Sequence, residues 1–173
     1  MNKQNLKIGH TQITDLDFAC SLYHEAIAYQ KKNGYPEYRW DDRETQKKYI
    51  EDGIHYKVTI GNDIAAVFNV HFQDKLIWRE MDQGQSVYLH GVLINPRFKG
   101  HRIFGDILDW TIAYAKENAK DNIRLDTWHG NPTLSNYYKT FGFTEVEDFQ
   151  TPDGPDIPLN CRGNLVTLMQ YTI

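Results

Sequence analysis

Lys99, His101 and Arg102 crowd around Gly100, just after Pro96 and directly ahead of the repeat Phe104, Ile107, Leu108, Thr111 and Ala115. That repeat has helical spacing, so the basic cluster falls where a helix begins. The first turn of a helix carries free amide donors and the positive end of the macrodipole, and together these attract phosphate oxygens. Gly100 allows close approach to the backbone, and the neighbouring side chains add donors and charge. A solvated basic loop explains the same residues, because one glycine with nearby cations is a weak signature.

A second concentration of chemistry lies in "DTWHGNPTLSNYYKTFGF", residues 126–143. Asn131 precedes a short helical repeat of Leu134, Tyr137, Tyr138 and Phe141, and its side-chain oxygen suits an N-cap. Adjacent helical residues diverge by ~100°, so Tyr137 and Tyr138 face different surroundings. One ring packs in the core and the other phenol lines a cleft, or both are core aromatics with one wet hydroxyl. His90 sits midway along an apolar run and has an ordinary pKa of about 6.5, suited to proton transfer or to a buried hydrogen bond. Asp126 and His129 lie near the end of the next apolar run, and Glu80 stands in an irregular connector.

These residues need elements to hold them. Leu6–Ile8 is expected to open as a strand. "ITDLDFACSLYHEAIAYQKKNG" reads as a helix, with Thr14 and Asp17 as a capping box, Ile13 and Phe18 as a hydrophobic staple, and Gly34 as the stop. "DDRETQKKYIED" reads as a second, polar helix ending at Gly53. "HYKVTI" and "IAAVFNVHF" form a hairpin across Gly61-Asn62-Asp63. "SVYLHGVLIN" is a central strand covered on both faces, and "IRLDTW" another buried strand. "FTEVEDF" and "NLVTLMQYTI" finish the chain as strands, separated by a Pro-rich loop. The order β-α-α-β-β-β-α-β-α-β-β predicts an α/β (α+β) mixed sheet with helices on its faces.

The 173 residues fit one domain, 1–173, able to bury a full core without staples. A net charge of −4 with dispersed basic residues argues against a nucleic-acid surface. Cys20 and Cys161 have neither CxxC nor metal-ligand spacing, so both are expected as free thiols and no metal is expected. No run is apolar and long enough for a signal peptide or membrane span, and a cytoplasmic location is the default expectation.

Taken together, the two concentrations resemble the GNAT superfamily of acyl-CoA N-acyltransferases. "VLINPRFKGHRIFGDILDW" is similar to that family's acetyl-CoA motif, and "NPTLSNYYKTFGF" to the motif that follows, the more specific of the two. The first departs from pattern. Lys99 takes the leading basic position, Arg102 and Phe104 replace two small residues, and Gly105 stands one place beyond the usual glycine.

The resemblance implies a single-domain, mostly antiparallel sheet with a central splayed parallel strand pair and helices on both faces. It implies acetyl-CoA as co-substrate, held through the main chain of Val92 and Ile94, by the Lys99, Gly100, His101, Arg102, Phe104 and Gly105 loop, and near Asn131 and Tyr138. It implies direct attack by an amine on the thioester, with an oxyanion polarised by a strand amide. Tyr138 is the candidate general acid and His90 the candidate proton acceptor, while Tyr137 falls in a usually apolar slot. The acceptor wall is expected at Tyr35, Tyr38, Trp40 and Asp126, with Asp41 beside them. The acceptor is a small-molecule or protein amine. The family often forms homodimers, though no motif here reports one. A CoA-binding sensor that has lost turnover is the alternative function, motivated by the altered Arg102/Phe104 loop. A purely structural domain is the third.

Overall fold

The computed structural model describes residues 6–35, 43–157 and 161–173. Among them, seven strands form one sheet: β1 (Leu6–His10), β2 (His55–Ile60), β3 (Asp63–His71), β4 (Ser86–Ile94), β5 (Asn122–Trp128), β6 (Thr144–Gln150) and β7 (Leu165–Thr172). Five helices accompany them: α1 (Leu16–Asn33), α2 (Arg43–Glu51), α3 (Lys75–Trp78), α4 (Ile103–Glu117) and α5 (Pro132–Lys139). The strand order is β1-β2-β3-β4-β5-β7-β6. Every neighbouring pair is antiparallel except β4 and β5.

That exception organises the molecule. β4 and β5 pair in register only at Ser86↔Asn122, Val87↔Ile123 and Tyr88↔Arg124. Beyond Tyr88 the two strands part, and the edge of β4 that faces β5 has no ladder partner among the described residues. Val92 and Ile94 lie in this open stretch. Alternation along the strands sends Val87, Leu89, Ile123 and Leu125 to the main core, where they meet Ile103, Phe104, Ile107 and Leu108 of α4 and Tyr138 of α5. The opposite face packs α1 against Val67 and Leu93 through Ala19, Leu22 and Tyr23. Farther along that face, Ile77 and Trp78 of α3 cover Tyr88, Val166 and Leu168.

Several expectations are met for local reasons. The repeat Phe104, Ile107, Leu108, Thr111 and Ala115 is buried as one helical face. Gly34 ends α1 in the left-handed region at φ 67°. Among the described residues neither Cys20 nor Cys161 is part of a disulfide. The start of α1 differs from expectation. A 3-10 turn, Ile13–Asp15, precedes the helix, and Asp15 rather than Asp17 accepts the reaching-back bond, from the amide of Gln12 at 2.9 Å. Asp17 instead pairs with Arg43 of α2. Ile13 and Phe18 are 51% and 39% exposed, so no buried staple forms. The connector between β3 and β4, expected to be irregular, folds into α3 and a 3-10 turn. Among the described residues, no helix is long and apolar enough to cross a membrane.

Candidate functional site

Pro96 opens a short 3-10 turn, Pro96–Phe98, which Asn95 caps by accepting from the Arg97 amide at 3.0 Å. Gly100 then takes φ +85° and Arg102 φ +55°, two left-handed residues that swing the chain into α4. Arg102 replaces a small residue of the resembling motif at a position where a β-carbon is strained. Gly105 is the first α4 amide bonded back onto this loop, donating to the Arg102 carbonyl at 2.9 Å. The amides of Ile103 and Phe104 precede it and have no intrahelical acceptor. Lys99 and Arg102 are exposed and His101 half-buried, so their cationic or protonatable groups surround this turn.

Phe104 points away from it. Its side chain is 2% exposed and packs edge-on against Tyr138 at 4.9 Å and Phe141 at 5.1 Å between ring centroids. Only its amide is available to a ligand at the turn. A cleft of about 300 Å³ runs beside the turn, lined by Arg102, Gly105, Asp106, Asp109, Phe141 and Tyr171 among others. The Arg102 guanidinium lies over the Phe141 ring, 5.7 Å from its centroid.

Asn131 caps α5 as expected, accepting from the Leu134 amide at 3.1 Å. The tyrosine pair divides as adjacent helical residues must, with Tyr138 9% exposed inside the main core cluster and Tyr137 41% exposed. The apolar slot of the resemblance thus holds a ring in solvent here. Tyr137 still touches Phe104 and Phe141, whose partial cover holds its phenol above the ordinary range.

The other face of the opening holds a different constellation. His90 Nδ1 lies 3.5 Å from Asp126 Oδ1, and His90 Nε2 lies 3.3 Å from Asp74 Oδ2. Alternation places His90 and Asp126 on the side of their strands away from α4. Asp74 comes from the β3–β4 connector, where its Oδ1 caps α3 by accepting from the Ile77 amide at 3.2 Å. Its own amide donates to Asp82 Oδ2 at 2.9 Å, and Asp82 Oδ1 accepts from the Tyr88 hydroxyl at 2.9 Å. Burial opposes charge on His90, but Asp126 and then Asp74 outweigh it, so its pKa rises to about 10. His90 is therefore an imidazolium at neutral pH, rather than the resting neutral base of the sequence expectation. His71, edge-on to His90 at 5.2 Å, is pushed down to about 4 by burial and by the His90 charge. The half-buried Cys161 thiol is pushed up to about 11 by burial, with Asp126 and Asp74 adding to it.

Asp74, His90 and Asp126 are also spaced to hold a metal ion, their donor atoms lying within 4.8 Å of one another. A metal needs an imidazole lone pair, whereas here each ring nitrogen faces a carboxylate, the arrangement of a proton-bearing imidazolium. His129 joins a separate group, 3.0 Å from Asp148, which also accepts from Thr167 at 2.7 Å. Glu80 is exposed and paired with Arg79. Tyr35 packs against Tyr29 at the end of α1, with centroids 6.3 Å apart. Tyr38, Trp40 and Asp41 lie outside the described residues. Sequence reading missed Asp74, which carries no motif, and Gly91. The latter has φ +56°, and a β-carbon there would stand 2.5 Å from the Tyr23 hydroxyl oxygen.

A mixed sheet that opens between two parallel strands, with a helix N-terminus at the end of one of them, defines the acyl-CoA acyltransferase class of fold. The chain belongs to the Acetyltransferase (GNAT) family, whose profile matches residues 18–143. Its fold is shared with a GNAT-family acetyltransferase from Listeria monocytogenes (17% identity, TM-score 0.78, covering 97% of this chain and 95% of that one). A second, from Streptococcus agalactiae, also has 17% identity and a TM-score of 0.78, covering 100% and 98% of the two chains. An uncharacterized N-acetyltransferase of Bacillus subtilis, YesJ, is 27% identical over 70 residues, 40% of this chain and 39% of that protein's length.

Proposed function

We propose that this protein is an N-acetyltransferase that moves an acetyl group from acetyl-CoA to an amine within a ternary complex. One observation carries the reading. β4 and β5 separate after three paired residues, with a basic turn at the end of β4, Tyr138 in the core on the α4 side of the sheet and His90 with Asp126 on the opposite side.

Acetyl-CoA is a substrate here and supplies the activated thioester. The amides between Lys99 and Gly105 receive its diphosphate, and the Arg102 guanidinium adds a charge-assisted donor. The unpaired main chain of β4 at Val92 and Ile94 hydrogen-bonds the pantetheine amides. The amine reaches the carbonyl carbon from the His90 side. A new C–N bond forms, and a β4 amide stabilises the oxyanion. As the C–S bond breaks, the Tyr138 phenol donates its proton to the departing thiolate. The proton lost by the amine leaves through the Asp126–His90–Asp74 row, where carboxylate oxygens accept it at neutral pH and neutral His90 does so at higher pH. Asn131 acts indirectly, holding the first turn of α5 that carries Tyr138.

A second reading, a CoA-binding module without turnover, draws on Phe104 and Arg102, which are bulkier than the residues the motif usually places there. Thiol release from acetyl-CoA across a panel of amines, run beside calorimetric titration with CoA, separates the two. Binding with amine-dependent thiol release supports the transferase. Binding without release for any amine supports the module, and neither signal overturns both.

A further inference from the structure

We infer that the His90 face of the opening takes its acceptor as an alkylammonium ion without a neighbouring carboxylate, and that Asp74 and Asp126 are the residues that select it. This rests on the N-acetyltransferase reading for the fate of the amine, but the binding claim stands on its own observations.

The first observation is an under-satisfied carboxylate oxygen. The Asp74 side chain is 10% exposed, and the donor that faces its Oδ2 among the described residues, His90 Nε2 at 3.3 Å, is not aligned as a hydrogen bond, so the oxygen keeps acceptor capacity unused. Asp74 is not loose. Its Oδ1 caps α3 and its amide is tied to Asp82, so Oδ2 is fixed toward His90. Buried polar atoms are satisfied in all but a few cases, and a carboxylate offers only acceptors. His90 meets that capacity only in part, and any further partner must be a donor.

A second under-satisfied acceptor lies on the same face of the sheet. Asn69 pairs with His90 across the β3–β4 ladder, is 3% exposed, and has an Oδ1 without a partner among the described residues. Its Nδ2 donates to the Tyr23 hydroxyl at 3.4 Å. Two acceptors with unused capacity thus neighbour the same histidine on one face, and what both lack is an N–H donor.

Charge gives the third argument. The groups facing His90 are Asp74, Asp126 and His71, with Cys161 near the two carboxylates and Tyr49 behind His71. Burial keeps His71 neutral, and the thiol and the Tyr49 phenol are both held protonated. Arg124, two residues before Asp126, is turned to the Met81 carbonyl, Tyr88 and Gln170. Two carboxylates and one imidazolium leave the face negative at neutral pH. An ammonium is attracted there, whereas an amine carrying its own carboxylate is repelled and leaves Asp74 Oδ2 under-satisfied. His90 and Asp126 side chains are 28% and 24% exposed, which gives a ligand a way in.

The test is calorimetric titration of CoA-loaded protein at pH 7.5 with butylamine, 1-butanol, norleucine and Nα-acetyl-lysine amide. CoA lacks the acetyl group, so binding is read without turnover. Butylamine should bind, 1-butanol should give no heat, and norleucine should bind at least tenfold more weakly. Asp74→Asn and Asp126→Asn should each weaken butylamine at least tenfold, with melting curves confirming the fold; Asn keeps the acceptor that caps α3. Lysine-amide binding with the same dependence on both residues supports the inference and assigns the ammonium to a protein side chain; its absence beside butylamine binding assigns it to a free amine. Equal binding of butylamine and norleucine, or butylamine binding unmoved by both variants, overturns the inference. So does heat with Zn²⁺ and none with butylamine, which would make the cluster a metal site. Thiol release measured with acetyl-CoA keeps the two claims apart. Butylamine binding without release leaves the ammonium site standing and removes the transferase, while release that ignores Asp74, Asp126 and the carboxylate of norleucine does the reverse.

Discussion

Replacing Asp126 by Asn tests the His90 arrangement most directly. His90 stands 3.5 Å from Asp126 and 3.3 Å from Asp74, and its pKa is raised from 6.5 to about 10. Burial pulls the other way, so the two carboxylates together supply more than that whole interval, and Asp126 is the stronger of the pair. Losing Asp126 removes more than half of their joint effect. Half of the rise from 6.5 to about 10 corresponds to on the order of 2 kcal/mol of preference for the imidazolium, and its loss moves the midpoint down. A ring-carbon NMR titration of His90 reads both values. Stability carries the same sign. A group whose folded pKa lies above its unfolded value stabilises fully below the unfolded pKa, and that contribution is lost as pH rises through the folded one. Wild-type protein should lose its His90-linked stability as the pH climbs toward about 10. The variant has less to lose and loses it at lower pH. Between about pH 7 and pH 9 the denaturant midpoint should therefore fall further in wild type than in the variant. A wild-type midpoint near 6.5, or one that Asp126→Asn leaves in place, refutes the carboxylate–imidazolium–carboxylate row.

Three further perturbations probe the rest of the site. Tyr138→Phe should lower kcat about 100-fold if the phenol protonates the thiolate, while the ring keeps its place against Phe104; a loss smaller than about threefold makes Tyr138 a packing residue. Gly91→Ala should destabilise by about 1–3 kcal/mol in chemical denaturation, from the left-handed backbone and the collision with the Tyr23 hydroxyl. Adding Tyr23→Phe should recover part of that loss, and full stability of the single variant would show the strand to be more pliant than its bulge implies. Arg102→Gly should stabilise the ligand-free protein by about 1 kcal/mol through relief of its positive φ. The same change should weaken CoA about tenfold through loss of a charge-assisted bond; unchanged or tighter CoA binding would recast Arg102 as an obstruction.

Gly91 also shows why a bulge matters to the chemistry. The β3–β4 register shifts between the pairs Val67↔Leu93 and Asn69↔His90, so β4 carries an extra residue just where it leaves β5. A bulge twists its strand and interrupts the ladder. His90 is thereby turned toward the connector that brings Asp74, while Val92 and Ile94 follow the open edge.

What the sequence determined by itself is what neighbouring residues decide among themselves. The α4 repeat from Phe104 to Ala115, the cap at Asn131, the stop at Gly34 and the alternating strands are short-range patterns, and each forms as read. The basic turn around Gly100 and the Asn-Tyr-Gly-Phe spacing were legible for the same reason, and with them the family. Tertiary structure decided the rest. Which of Tyr137 and Tyr138 enters the core depends on where Phe104, Phe141 and Phe143 stand. His90 becomes a cation only because Asp74 arrives from a connector without a motif and Asp126 from the neighbouring strand. Proton affinity and under-satisfied acceptors are properties of a completed environment, set by charges and burial contributed from distant parts of the chain.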